Sequence, residues 1–367
     1  MAPTEPSLAL AHDYLLVMRG AERTFAEMAK CWPMAPIYTL LYDADAVAEG
    51  FAGREVTTSY LQHLGARQGS FRYLLPLFPR AAEQLPVRDF DVIVSSSSAF
   101  AQGIRPGSGA LHICYCHSPF RYVWFEDQRA MSETPAPLRP LMRQILARIR
   151  RWDLEASRHV THYIANSAIT RDRIAEIYGR ESEIIYPPVS VERFSPGVPE
   201  DFVLFVGQIV RHKRVDTAIE AALAAGRPIK VVGDGPELPR LRVENEGRDV
   251  DLLGNVSDAE LASLYSRCAA LIVPNVEEFG IAAVEAQAAG RPVVAVNRGG
   301  VRETVVDGLT GVLVDAEDAA ALAEPLRDED FGRFDPIKIR ANAARFSAAS
   351  FRQNLKSAVD RQLSVRR

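Results

Sequence analysis

Cysteine is scarce in this chain: four residues in 367, at positions 31, 114, 116 and 268, with no CxxC and no disulfide-scaffold spacing. That argues against a disulfide-stapled secreted scaffold and fits a reducing cytosol. No apolar run approaches the ~18–20 residues that span a bilayer. The opening MAPTEPSLALAHDYLL has no basic n-region, and its short apolar stretch reads as a strand rather than a signal peptide. Neither sign of charge dominates. The 43 Lys+Arg stand against 47 Asp+Glu for a net charge of -4, which argues against a dedicated nucleic-acid binder. A Walker A loop, HExxH and GxSxG are all missing. What is present is ordinary: 47% hydrophobic and 25% charged residues, so the chain is neither disordered nor fibrous. At roughly 100–200 residues per domain, the length predicts two domains, each able to bury a core. The first reading is a soluble, two-domain, cytoplasmic protein.

Short apolar runs alternate with Ala- and Leu-rich helical patterns. Ser7–Ala11, Asp91–Ser95, Leu111–Cys116 and His162–Ala165 read as strands in the first half. In the second half, Phe202–Val206, Pro228–Val232, Asp251–Leu253, Ala270–Val273, Pro292–Val296 and Gly311–Val314 do the same. Most are continuous rather than alternating, as expected of parallel strands covered on both faces. Helical patterns at Val215–Ala225, Asp258–Cys268 and Ile281–Ala289 complete an α/β signature. Prolines 187, 188, 196 and 199 interrupt it once, disfavouring helix and central strand. The expected organisation is a domain over 1–186, a linker over 187–200 and a second domain over 201–347, followed by a terminal helix 348–367.

The segment Pro274–Gly290, PNVEEFGIAAVEAQAAG, is the most informative. It joins a strand end to a helix start, where free N–H groups and the helix dipole suit a phosphate. Gly280 allows close approach of a ligand to the backbone. Glu277 in the loop and Glu285 on the following helix can line one crevice at the carboxyl edge of the sheet. A carboxylate there can grip a vicinal diol; equally, both residues read as ordinary solvated or capping carboxylates. Gly233 and Gly235 follow a strand, but no full GxGxxG accompanies them, so they are weak evidence for a dinucleotide.

Glu277…Glu285 in this setting, followed by Gly290-Arg291-Pro292-Val293, resembles the signature of retaining glycosyltransferases of family GT4, which have the GT-B architecture. GQIVRHKRVD at 207–216 resembles that family's phosphate-binding loop, and VGDGPE at 232–237 follows at the usual distance. Asn297-Arg298-Gly299-Gly300, HDY…MRGAER at 12–23, CYCHSPFRY at 114–122 and IANS at 164–167 agree in the same order. The resemblance implies an α/β fold of two Rossmann-like domains with parallel sheets facing across a cleft. The first would bind acceptor and receive the terminal helix; the second would bind a nucleotide sugar.

Residue roles follow from the resemblance alone. Glu285 would hold the ribose hydroxyls. Glu277, with the backbone of Phe279, Gly280 and Ile281, would contact the sugar and distal phosphate. Lys213 would neutralise the leaving diphosphate, Gly20 would let the first loop approach the phosphates, and His117 would sit beside the transferred sugar. His12, Tyr14 and Arg121 would bind acceptor. Gln208 stands where many relatives carry a second phosphate-binding arginine, and Arg211 is the nearby substitute. Ala21 replaces a common glycine of the first loop, and Glu278 replaces another beside the diphosphate.

The implied reaction is transfer of a hexose with retention, by front-face attack, with no obligatory cofactor and no metal. Domain closure over the linker would limit donor hydrolysis. The motif combination resembles bacterial mannosyltransferases of O-antigen and exopolysaccharide assembly, favouring GDP-mannose as donor and a saccharide or polyprenyl-diphosphate-linked acceptor. Arg139, Arg143 and Arg150 fall on one helical face beside Leu141, Ile145, Ile149 and Trp152. That stretch, 139–152, reads either as a peripheral membrane contact at the inner face of the cell membrane or as a helix packed on the core. Basic residues 352, 356, 361, 366 and 367 mark the terminal helix. Rival readings are a GT-B sugar-nucleotide epimerase or phosphorylase-like enzyme, a non-catalytic sugar-nucleotide-binding subunit, and an NAD-dependent dehydrogenase, which lacks its glycine fingerprint.

Overall fold

Every apolar run singled out above becomes a strand, and all the strands are parallel. The computed structural model describes residues 6–65, 71–126, 131–132, 134–328 and 330–365; Arg366 and Arg367 lie outside the described residues. The chain divides into two units, Met1–Tyr186 with Arg352–Arg367, and Pro187–Phe351.

The first unit holds a seven-stranded sheet of β1 (Leu8–His12), β2 (Ile37–Thr39), β3 (Val56–Thr58), β4 (Val92–Ser97), β5 (Leu111–Cys116), β6 (His162–Ala165) and β7 (Ser182–Ile184), in the order β3-β2-β1-β4-β5-β6-β7. Strands β4 and β5 are buried along their whole length, which explains their unbroken apolar reading. Three strands escaped sequence reading: β2, β3 and β7, each three residues long. Such segments are too short to show a period, and β3 and β7 are half-buried edges.

The second unit repeats the plan with six strands: β8 (Val203–Val206), β9 (Ile229–Val232), β10 (Val250–Gly254), β11 (Ala270–Val273), β12 (Val293–Val296) and β13 (Gly311–Val314), ordered β10-β9-β8-β11-β12-β13. Strand order reverses direction beside β1 in the first sheet and beside β8 in the second. At such a switch point the loops leaving neighbouring strands run to opposite faces and open a crevice at their carboxyl ends. The β1 and β4 loops, and the β8 and β11 loops, are therefore where each unit can bind a ligand.

The proline-rich stretch is not slack chain. Val189 donates its N–H to the Phe346 carbonyl at 2.9 Å, Phe194 is buried edge-on against Tyr265, and the Gly197 carbonyl accepts from Arg291. Residues 187–200 thus pack as part of the second unit. From Arg352 onward, the helix Ala348–Val365 packs within the first: Arg352 pairs with Glu27, Arg361 Nη2 donates to Glu183 at 2.6 Å, and Leu355, Ala358 and Val359 are buried.

The helix Arg139–Ala156 settles much of its own apolar stripe. Ile149 is buried, Ile145 and Trp152 pack on the core cluster, and Arg150 turns inward to donate to the Val123 carbonyl and lie over the Trp124 ring. The expected Arg139–Arg143–Arg150 face is therefore broken, because the Arg150 head finds a carbonyl and a ring near the core. The outward arc carries Leu141, Arg143, Arg148 and Arg151. Among the described residues no helix is long and apolar enough to cross a membrane.

Candidate active site

The β8 and β11 loops of the second unit bring two charged side chains together. Lys213 Nζ donates to Glu277 Oε1 at 2.6 Å, although the residues are 64 positions apart in sequence. Asn275 Nδ2 donates to the same oxygen at 3.0 Å. About a quarter of each charged side chain remains exposed, 21% for Lys213 and 26% for Glu277. A partly shielded ammonium held by one carboxylate keeps donors for an incoming anion, and partial burial strengthens its field relative to water.

Backbone packing sets where these loops lie. Gly233 has φ +137°, and a Cβ there would overlap the Gly207 carbonyl oxygen; one on Gly235 would overlap that of Ile209. The glycine pair thus lets the β9 loop press against the start of the β8 loop. Gly207 donates to the Val232 carbonyl at 3.0 Å and Ile209 to that of Asp234 at 2.9 Å. On the other side, Gly299 pairs with Glu277 as an isolated parallel bridge, and the Gly300 N–H donates to the Glu277 carbonyl at 2.7 Å. Gly299 has φ +75°, and a Cβ on it would overlap that carbonyl oxygen.

The helix Ile281–Ala288 starts at Gly280, whose φ is +90°. No side chain caps it, so its first N–H groups are available to an anion. The Phe279 ring is buried edge-on against Phe346, leaving its backbone as the part that can meet a ligand; Ile281 is exposed. A buried amide network fixes the helix: Gln287 Nε2 donates to the Ala283 and Thr304 carbonyls, and Asn342 Nδ2 to Gln287 Oε1 at 2.7 Å. Four residues into the helix, Glu285 Oε2 accepts from the buried Tyr265 hydroxyl at 2.9 Å. Gln208 is exposed. Arg211 is 88% exposed and pairs at 3.4 Å with Glu237, so the structure does not set it beside Lys213.

The first unit's switch point gathers a second group. His117, just past β5, shares a hydrogen bond of 2.8 Å between Nε2 and Ser96 Oγ. Burial of the ring pushes its pKa down to about 3, with His12 and Arg121 adding to the fall and Asp13 opposing it, so the imidazole is neutral near pH 7. His12 is 1% exposed, stacked on Phe25 at 4.8 Å with Nδ1 3.0 Å from the Ser96 carbonyl. Burial pushes its pKa down to about 4. It therefore underpins this edge and is not itself presented to a solute, which corrects its expected place among acceptor contacts. Tyr14 is half-buried and Arg121 exposed. Asp13 accepts from the backbone N–H groups of Ser98, Phe100 and Ala101 at 2.6–2.8 Å, fixing the loop that leaves β4. Gly20 opens the helix Gly20–Cys31, where Glu22 accepts from the Arg19 N–H at 3.1 Å.

Comparison with known proteins agrees with both halves. Residues 18–193 match the family described as Glycosyltransferase Family 4, and residues 191–328 match Glycosyl transferases group 1. Each half of the chain thus matches a glycosyltransferase domain family, and the fold is GT-B. This GT-B protein is 33% identical over 240 residues to D-inositol 3-phosphate glycosyltransferase 1 of Catenulispora acidiphila, covering 56% of each chain. It is 33% identical over 167 residues to an uncharacterized glycosyltransferase of Methanocaldococcus jannaschii, covering 44% of this chain and 48% of that one. The matches thus span about half the length of these curated relatives. The fold is shared with Anabaena Alr3699/HepE, solved in complex with UDP and glucose (TM-score 0.69, 19% identity, 97% of this chain and 100% of that one). It is also shared with the apo form of the lipopolysaccharide outer core galactosyltransferase WaaB (TM-score 0.65, 15% identity, 97% and 99%).

Within the GT-B units, Lys213 meets Glu277, which lies in the loop before Gly280, and His117 lies just past β5. Sequence reading passed over Asn275, Tyr265, Ser96 and Asp13. Asn275 lies two residues before Glu277, inside the motif, and its amide type was signal enough. Tyr265 gave none: it reads as an apolar position of its helix, and only tertiary packing turns its hydroxyl onto Glu285.

Proposed function

We propose that this protein transfers a hexose from a nucleotide-diphosphate sugar to an acceptor hydroxyl with retention of configuration. The observation that carries the reading is the Lys213–Glu277 pair at the β8–β11 switch point, beside the uncapped start of helix Ile281–Ala288. Lys213 is assigned to the leaving diphosphate, as a point charge that can follow the phosphate oxygens. The N–H groups after Gly280 add fixed dipoles to the same anion. Glu285, braced by Tyr265, is assigned to the ribose diol, and Glu277, braced by Asn275, to the sugar hydroxyls. When the diphosphate enters, Lys213 exchanges part of its Glu277 contact for phosphate oxygens and frees that carboxylate to accept from the sugar.

In the first unit, neutral His117, Tyr14 and Arg121 are assigned to the reacting sugar and acceptor, with Gly20 at the loop approaching the phosphates. A neutral imidazole can exchange hydrogen bonds with a hydroxyl without placing a cation beside the positive charge that develops on the sugar. Attack is assigned to the same face as departure, with the departing phosphate accepting the acceptor's proton. GDP-mannose is the favoured donor on the motif resemblance, and a saccharide or polyprenyl-diphosphate-linked saccharide the acceptor; the UDP complexes of HepE make UDP-hexoses the donors to test against it. The outward arc of helix Arg139–Ala156 is assigned to contact with an anionic membrane surface, on the exposed Leu141 and the cations 143, 148 and 151.

Thermal-shift screening against GDP-, UDP- and ADP-sugars tests the reading directly. Stabilisation by one nucleotide sugar, followed by acceptor-dependent release of its nucleoside diphosphate, supports transfer. Acceptor-independent change of the sugar nucleotide points to an epimerase instead, and no stabilisation by any of them sinks the assignment.

A further inference from the structure

Among the described residues, Arg214 is the one non-glycine residue with a left-handed backbone, at φ 52° and ψ 43°. For a residue with a Cβ this conformation is strained, and strain of this kind persists where surrounding contacts over-determine it. Arg214 directly follows Lys213 and precedes the helix Val215–Ala224. Its side chain is held at one point: Nη1 donates to Glu317 Oε2 at 2.9 Å, and Nη2 donates to the Glu317 carbonyl. The second carboxylate oxygen, Oε1, accepts from Arg298 Nη1 at 2.6 Å.

Arg298 stands immediately before Gly299 and Gly300, the two residues that seat the Glu277 backbone. A single carboxylate in the turn after β13 therefore ties the loop carrying Lys213 to the loop supporting Glu277. Arg214 and Glu317 keep 34% and 30% side-chain exposure and Arg298 keeps 62%, so the Arg214 arm of the clamp is the one partly sheltered from screening. Glycine would adopt this backbone without strain, so the guanidinium contacts are what offset the left-handed arginine.

We infer that Glu317 is a positioning residue: through Arg214 and Arg298 it sets Lys213 against Glu277, and thereby tunes recognition of the diphosphate portion of a nucleotide. The inference rests on the assignment of Lys213 to the diphosphate made above. Its particular consequence is selective. Loosening the clamp displaces the ammonium but leaves Glu285 and Tyr265 in place, so affinity for a nucleoside diphosphate falls while affinity for the monophosphate holds.

The test is calorimetric titration of the full chain with GDP, GMP, UDP and UMP, in Glu317→Ala, Arg214→Asn, Arg214→Gly and Lys213→Ala. The first three are expected to lower the diphosphate-to-monophosphate affinity ratio by about threefold to tenfold, the scale of one weakened charge-assisted contact. Arg214→Gly also relieves backbone strain, so its melting temperature should stay level or rise while the ratio falls, a combination that mere structural damage does not produce. A ratio unchanged in Arg214→Gly and Arg214→Asn, while Lys213→Ala lowers it, overturns the positioning role alone. A ratio unchanged in Lys213→Ala, or absence of nucleotide binding by the unaltered protein, overturns the site assignment and the inference with it.

Discussion

Lys213 and Glu277 meet at 2.6 Å across two loops that leave neighbouring strands at the point where the second sheet reverses its winding. Asn275 shares the contact oxygen of Glu277, so the carboxylate is held by a cation and an amide together. An anion entering here meets the cation first, and turnover should depend on it. Lys213→Ala is expected to lower kcat by more than about tenfold, the scale of a lost electrostatic stabiliser, with melting temperature little changed. Steady-state kinetics with the donor found by screening decides this; near-normal turnover removes Lys213 from the chemistry.

Glu285 and Tyr265 give a graded pair of predictions. Glu285→Ala should weaken nucleoside monophosphate and diphosphate binding alike, by about tenfold or more, because a carboxylate bridging a diol makes two charge-assisted hydrogen bonds. Tyr265→Phe keeps the ring against Phe194 and removes only the hydroxyl, so the loss should be smaller and of the same pattern. Unchanged affinity in Glu285→Ala, measured by calorimetry, refutes the ribose assignment.

Gly299→Ala should be costly despite its size. The added Cβ overlaps the Glu277 carbonyl oxygen and the backbone is left-handed, so a loss of about 1–3 kcal/mol is expected, with weakened donor binding as Glu277 shifts. Thermal denaturation reads the stability term. A fully stable variant would mean that the loop tolerates a shift which its packing on the Glu277 backbone forbids.

The first unit should lose stability on acidification. His12, His112 and His117 have folded pKa values of about 4, 3 and 3, all lowered mainly by burial. Below the ordinary value near 6.5 the unfolded chain binds protons that the folded chain does not, so stability falls as pH drops from about 6.5 toward 4. Asp153, raised by burial to about 6, and Glu22, also raised by burial, act in the opposite sense; His159, lowered mainly by burial, joins the other three histidines, so four groups against two leave a net loss. All three tryptophans, 32, 124 and 152, belong to this unit, so tryptophan-fluorescence melts report it selectively. A melting temperature that holds level or rises between pH 6.5 and 4.5 contradicts the burial of these rings.

The arc of Arg143, Arg148 and Arg151 predicts salt-sensitive association with anionic vesicles, since each basic residue near such a surface contributes up to ~1 kcal/mol. Flotation with phosphatidylglycerol vesicles should recover the protein at low salt and lose it at high salt. No recovery at low salt removes the membrane contact.

Much of the fold was legible because parallel strands buried on both faces must be continuously apolar, and ten such runs stand out between helical patterns. The motif around Glu277 was legible for a related reason: its glycines, carboxylates and flanking strand and helix lie within one short stretch of chain. The sequence by itself therefore determined the two α/β halves, the break near residue 187 and the identity of the residues at each carboxyl edge. Tertiary structure alone decided which of them meet. It joined Lys213 to Glu277 and Tyr265 to Glu285, turned Arg211 toward Glu237, drew Arg150 in toward the core and placed His12 beneath its edge. These are side-chain choices set by packing between segments 20 to 100 residues apart, where no local periodicity reaches. Arg214 shows the limit most sharply: its residue type says solvated loop, and only its backbone and its contact with Glu317 say clamp.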